Sequence, residues 1–63
     1  MLKKKQVVTG TIAHIDEMGN GIIKYREDMI LVRGVLPQEE VRVEIVKRLQ
    51  QGYVGNILEI IKP

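Results

Sequence analysis

Apolar and polar positions along the 63 residues fall into five short runs, each closed by a cluster of turn-forming residues. The clearest is "VRVEIVKRL", residues 41–49. Val41, Val43 and Ile45 mark one face; Arg42, Glu44 and Val46 mark the other, which is the two-residue period of a strand. The Glu, Lys, Arg and Gln around this run favour helix, but the alternation and the β-branched residues favour strand. Pro37 with Glu39 and Glu40 leaves room for one helical turn ahead of it.

The other four runs are residues 6–15, "GIIKY" (21–25), "MILVR" (29–33) and "YVGNILEII" (53–61). Several carry apolar residues on both faces, among them Ile22 with Ile23, residues 29–32, Ile57 with Leu58, and Ile60 with Ile61. A single open sheet would leave one such face wet. Closing the sheet on itself buries more and removes exposed edges. The pattern therefore predicts an all-β fold, a small five-stranded antiparallel β-barrel of OB-like type. Residues 1–63 form one domain, with the basic residues 1–5 expected to be disordered.

Composition narrows the chemistry. A chain of 63 residues buries only about 60% of its unfolded surface and has little room for a deep pocket. It has no cysteine and one histidine, which argues against disulfides, thiolate nucleophiles and the usual zinc sites. Serine is absent as well. His14 beside Asp16 therefore lacks a nucleophile to activate and reads as an exposed strand-end residue, with RNA contact as the alternative. Glu39 and Glu40, adjacent on one chain, do not face each other as an acid–base pair and are expected to stay in water. No catalytic residue, metal or cofactor is expected. The longest apolar run is four residues (29–32), so no spanning segment is expected, and a cytoplasmic location is.

The glycines have two readings. "GNG", residues 19–21, could cradle a phosphate, but such loops lead into a helix and here a strand follows. Gly19, Gly21, Gly34, Pro37 and Gly52 are instead expected to build turns.

The net charge is +2, from ten Lys/Arg against eight Asp/Glu, and the pI is near 9.2. The acidic residues pair up in turns. Lys24, Arg26, Arg33, Arg42, Lys47 and Arg48 lie on strands or at their ends. Were Lys24, Arg33 and Arg42 to converge, they would make a positive strip suited to a polyanion. Tyr25 and Tyr53 are candidate stacking platforms for bases or, equally, caps of the core.

In order and spacing, "TGTIAHIDEMGNGII", "ILVRGVLPQEEVRVEIV" and "QQGYVGNILEII" resemble the TRAM domain, a small β-barrel module of RNA-modifying enzymes. The "LPQE" form looks most like the N-terminal TRAM domain of RNA uracil-5-methyltransferases, although Arg33 stands where many relatives have proline. The resemblance implies a non-catalytic module that holds tRNA or rRNA for a catalytic domain absent from these residues. The cations above would contact phosphates, and the tyrosines would stack on unpaired bases. Its partners would be RNA and that catalytic domain, with no membrane. A packing or self-association module is a competing possibility. A chromatin-like DNA-binding barrel is another, disfavoured by the balanced charge and the absence of Phe and Trp.

Overall fold

The computed structural model describes residues 2–63 and contains five strands: β1 (Val7–Ile15), β2 (Asn20–Tyr25), β3 (Asp28–Arg33), β4 (Glu40–Leu49) and β5 (Gly52–Lys62). They form a closed barrel in the order β1-β2-β3-β5-β4. The all-β, OB-like expectation holds, with boundaries within about a residue of those predicted. One pairing differs: β3 and β5 run parallel, Leu31 opposite Val54, while every other pair is antiparallel. Residues 37–38 form a simple turn rather than a helical one.

β1 closes the barrel by serving two neighbours. Its first half pairs with β4, Val7 opposite Glu44 through Thr11 opposite Glu40, and its second half pairs with β2. The switch coincides with a register shift between Ile12 and His14, the kind of irregularity that bends a strand. The inward residues Ile12, Ile23, Ile30, Val32, Val41, Val43 and Ile45 are almost wholly buried and form the core. Only part of each two-faced run points inward, however. Ile23, Ile30 and Val32 fill the barrel, whereas Met29 and Leu31 lie on the outside.

Two of the expected turn glycines work differently. Gly19 and Gly34 do adopt left-handed backbone, at φ 86° and 77°. Gly21 lies inside β2, where a Cβ would collide with the Val35 side chain. Gly52 opens β5, and its missing Cβ admits the Met29 carbonyl. Both are strand residues chosen for close approach.

The connection at residues 34–40 is more tightly held than its sequence suggests. Glu39, expected in water, is buried, and its Oε1 accepts the Leu36 N–H at 2.6 Å. Its carbonyl accepts the Ile12 N–H at 2.9 Å, while the Gln38 N–H donates to the Ile12 carbonyl at 2.7 Å. Residues 1–5, expected to be disordered, also need correction. Met1 lies outside the described residues. Leu2 is packed in the core, and the Lys5 N–H donates to the Ile45 carbonyl. An apolar residue at position 2 gains burial that the lysines following it do not need.

Candidate nucleic-acid interface

The outer wall of β2, β3 and β5 carries two grooves, and strand register explains its composition. On β2 the outward positions are Asn20, Ile22 and Lys24; on β3 they are Met29, Leu31 and Arg33. Pairing sets Asn20 opposite Arg33, Ile22 opposite Leu31, and Lys24 opposite Met29. The parallel partner β5 adds Val54 beside Leu31, and β4 adds Lys47 beside Val54. Ile22 continues to His14 on β1. The result is a central row, His14–Ile22–Leu31–Val54–Lys47, with polar ends; Ile22 is only 5% exposed, so Leu31 and Val54 present its apolar surface. Lys24 lies to one side of that row and Arg33 to the other, four residues apart along the strands or about 13 Å.

Two shallow grooves share Leu31. One, of about 340 Å³, is lined by Asn20, Leu31, Arg33, Val46, Val54 and Asn56 among others. The second, of about 530 Å³, runs over Ile22, Lys24, Arg26 and Met29 towards His14 and Asp16. Their charges differ. In the second, Lys24 and Arg26 are offset by Asp16, Glu27 and Asp28. In the first, Arg33 is the only charged side chain, accompanied by two neutral amides. Val46 reaches this wall because a register shift in β4 between Ile45 and Lys47 leaves it as the extra residue.

The loop between β1 and β2 is fixed by Asp16. Its Oδ1 accepts the N–H of Asn20 at 2.8 Å and of Met18 at 2.9 Å. The Asn20 N–H bond, with smaller help from Met18, the Asn20 side chain and Gly19, holds this carboxyl below its ordinary 3.8 against a partial desolvation that raises it. Asp16 is therefore a turn residue, and His14 is exposed beside the groove.

The cations expected to bind RNA divide between walls. Lys24, Arg26 and Arg33 line the grooves, and exposed Lys47 adjoins them opposite Val54, whereas Arg48, also exposed, lies opposite the inward Tyr53 on the other side of β4. Arg42 does not converge with Lys24 and Arg33. It lies between Thr9 and Glu59 on the wall formed by β1, β4 and the end of β5, and its Nη1 donates to Glu59 Oε1 at 2.7 Å. An ion pair this exposed adds about 0–1 kcal/mol, so it orients Arg42 more than it stabilises the barrel.

The tyrosines need a similar correction. Tyr53 is 4% exposed, and its hydroxyl accepts the Leu2 N–H at 3.2 Å. It cannot stack on a base, because strand parity turns it inward between Gly52 and Val54. Tyr25 packs half-buried against the core, and the Arg26 guanidinium sits over its ring, 5.8 Å from the centroid. A base stacking on that face would have to displace Arg26.

Asn20, Leu31, Val46, Val54 and Asn56 went unnoticed at the level of sequence. The available signal was parity: once Ile30 and Val32 are assigned inward, Leu31 must face out.

No family profile matches the chain. Similarity to known proteins is found with the 23S rRNA (uracil(1939)-C(5))-methyltransferase RlmD of Klebsiella pneumoniae, at 34% identity over 47 residues, covering 75% of this chain and 11% of that protein. An RNA methyltransferase of Staphylococcus epidermidis is 27% identical over 60 residues, covering 95% of this chain and 13% of its own length. The chain thus spans roughly a tenth of the relatives it matches. Both of these relatives are RNA methyltransferases.

Proposed function

We propose that this chain is a non-catalytic RNA-binding module of the TRAM type, which holds tRNA or rRNA for a uracil-5-methyltransferase domain lying outside these residues. The observation that carries the proposal is the outer wall of β2, β3 and β5: a partly exposed apolar strip through Leu31 and Val54, with Lys24 and Arg33 on opposite sides. Such a wall suits unpaired nucleotides, whose bases lie on the apolar row while phosphates meet the cations. In OB-folds generally, the strand 2–3 face and the loops beside it take oligonucleotides. Similarity to two RNA methyltransferases supports the same assignment. Few phosphates are within reach, so binding by the isolated module is weak, and useful affinity comes from tethering to a second RNA-binding surface.

An NMR titration of the labelled chain with a short structured RNA, at low and near-physiological salt, tests this. Shifts gathered on Lys24, Leu31, Arg33 and Val54, fading with salt, are expected. No shift even at low salt would rule out direct RNA binding.

A second function, packing against the catalytic part of a longer parent protein, is favoured by the far end of β5. Beyond Gly55 that strand pairs with β4 alone, and it exposes Leu58, Ile60 and Ile61. A titration silent to RNA would bring this function forward.

A further inference from the structure

Resting on RNA binding by this wall, we infer that the groove bounded by Asn20, Arg33 and Asn56 is a base-reading pocket. It takes a single unstacked nucleobase that carries an exocyclic amine, adenine above all. Its volume, about 340 Å³, accommodates one nucleotide but not a stacked pair. Its floor is aliphatic, formed by Leu31 and Val54 with Val46 at the side, and offers a flat apolar seat for one base face.

The polar groups sit at the rim, and register fixes them together. Asn20 is opposite Arg33 across β2–β3. Asn56 lies one residue beyond the last β3–β5 pair, Val32 with Gly55, and so comes level with Arg33. Neutral amides give a rim that discriminates among bases, which point charges alone do not. The Asn20 backbone is held in place, because its N–H donates to Asp16 Oδ1 at 2.8 Å. The side-chain amide of Asn20 lines the groove, and the amide carbonyl can accept from an amine. Asn56 is exposed and presents both a donor and an acceptor, the pair that matches the N6/N7 edge of adenine. Uracil has no exocyclic amine to offer. Arg33 would hold the flanking phosphate or lie flat against the base. No carboxylate lines this groove, whereas the neighbouring one has three.

The test is fluorescence anisotropy of the full chain with labelled hexamers of adenylate, cytidylate and uridylate at one low salt concentration. Adenylate is expected to bind about tenfold more tightly than uridylate, within the range of a bidentate amide–base contact. Asn56→Ala and Asn20→Ala should each erase most of that preference, bringing the adenylate-to-uridylate affinity ratio to within about twofold of one. Asn56 is exposed, so its variant keeps the test meaningful if Asn20→Ala loosens the loop. Equal binding of all three hexamers, unchanged in both variants, would overturn the base-reading pocket while leaving RNA binding intact. Absence of binding to every hexamer and to a structured RNA alike would overturn both.

Discussion

Glu39 Oε1 accepts the N–H of Leu36 at 2.6 Å from a side chain that is only 6% exposed. The bond spans three residues and folds the connection back on itself, so the Glu39 carbonyl and Gln38 N–H can meet Ile12 on β1. Removing the carboxylate leaves the Leu36 N–H without its partner. Glu39→Ala is expected to cost about 2 kcal/mol, in the range for a hydrogen bond to a charged group. In a domain this small that lowers Tm by about 10 °C. Glu39→Gln keeps an acceptor and should lose less. Thermal denaturation followed by circular dichroism measures both, and equal loss in the two variants would mean the hydrogen bond is not what matters.

Gly19 and Gly21 look equivalent in "GNG" but should respond differently to alanine. At Gly21 the new Cβ strikes Val35 and meets Ile12 Cγ2 at 3.2 Å, so core and connection must both shift. The expected loss is about 1–3 kcal/mol. At Gly19 nothing lies within 4 Å, and the cost is backbone strain at φ 86°, about 1 kcal/mol. Replacing Gly19 by asparagine, which tolerates left-handed backbone, should recover most of its loss, whereas Gly21→Asn should be worse than Gly21→Ala. Urea midpoints across the four variants decide this.

Tyr53 serves the core, and its substitution separates folding from binding. Tyr53→Phe leaves the ring and removes the acceptor of the Leu2 N–H, for an expected loss of about 1 kcal/mol. RNA affinity should be unchanged. A selective loss of RNA affinity with stability intact would put the ring back in the interface.

These cases show where sequence pattern informs and where it stops. Val41, Val43 and Ile45 were legible as one buried face because a strand's period is two and β4 keeps it. The closed barrel followed from runs apolar on both faces. The parallel pairing of β3 with β5 was not legible, since it joins residues more than twenty apart with no local signal. Glu39 beside Glu40 looked solvated because the group that needs it, the Leu36 N–H, leaves no trace in the side-chain pattern. Tyr53 was open to either role, and only strand parity settles which way it points. Asn20 and Asn56 acquire meaning only when register brings them level with Arg33.

Asp16 gives the β1–β2 loop a pH dependence. Its carboxyl is held below 3.8 chiefly by the Asn20 N–H, so its contribution to the fold is complete above that value. The contribution is lost as pH falls through the lowered folded-state value. The amide resonances of Met18 and Asn20 should therefore titrate together with a midpoint below 3.8, and Asp16→Asn should abolish that titration. A midpoint at or above 3.8 would contradict the bonding described.

Salt dependence distinguishes the two walls of the barrel. Each phosphate neutralised on a single strand contributes about 0.7 to the slope of log affinity against log salt. Lys24→Ala and Arg33→Ala should each reduce that slope by about 0.7, and the double variant by about 1.4, with little loss of stability because both side chains are exposed. Arg42→Ala should leave it nearly unchanged, since Arg42 is turned to Glu59 on the β1–β4 side. Anisotropy titrations at four salt concentrations give the slopes. If Arg42→Ala lowers the slope and Lys24→Ala and Arg33→Ala do not, the RNA lies on the wall of β1 and β4. The apolar row through Leu31 and Val54 would then belong to a contact with protein.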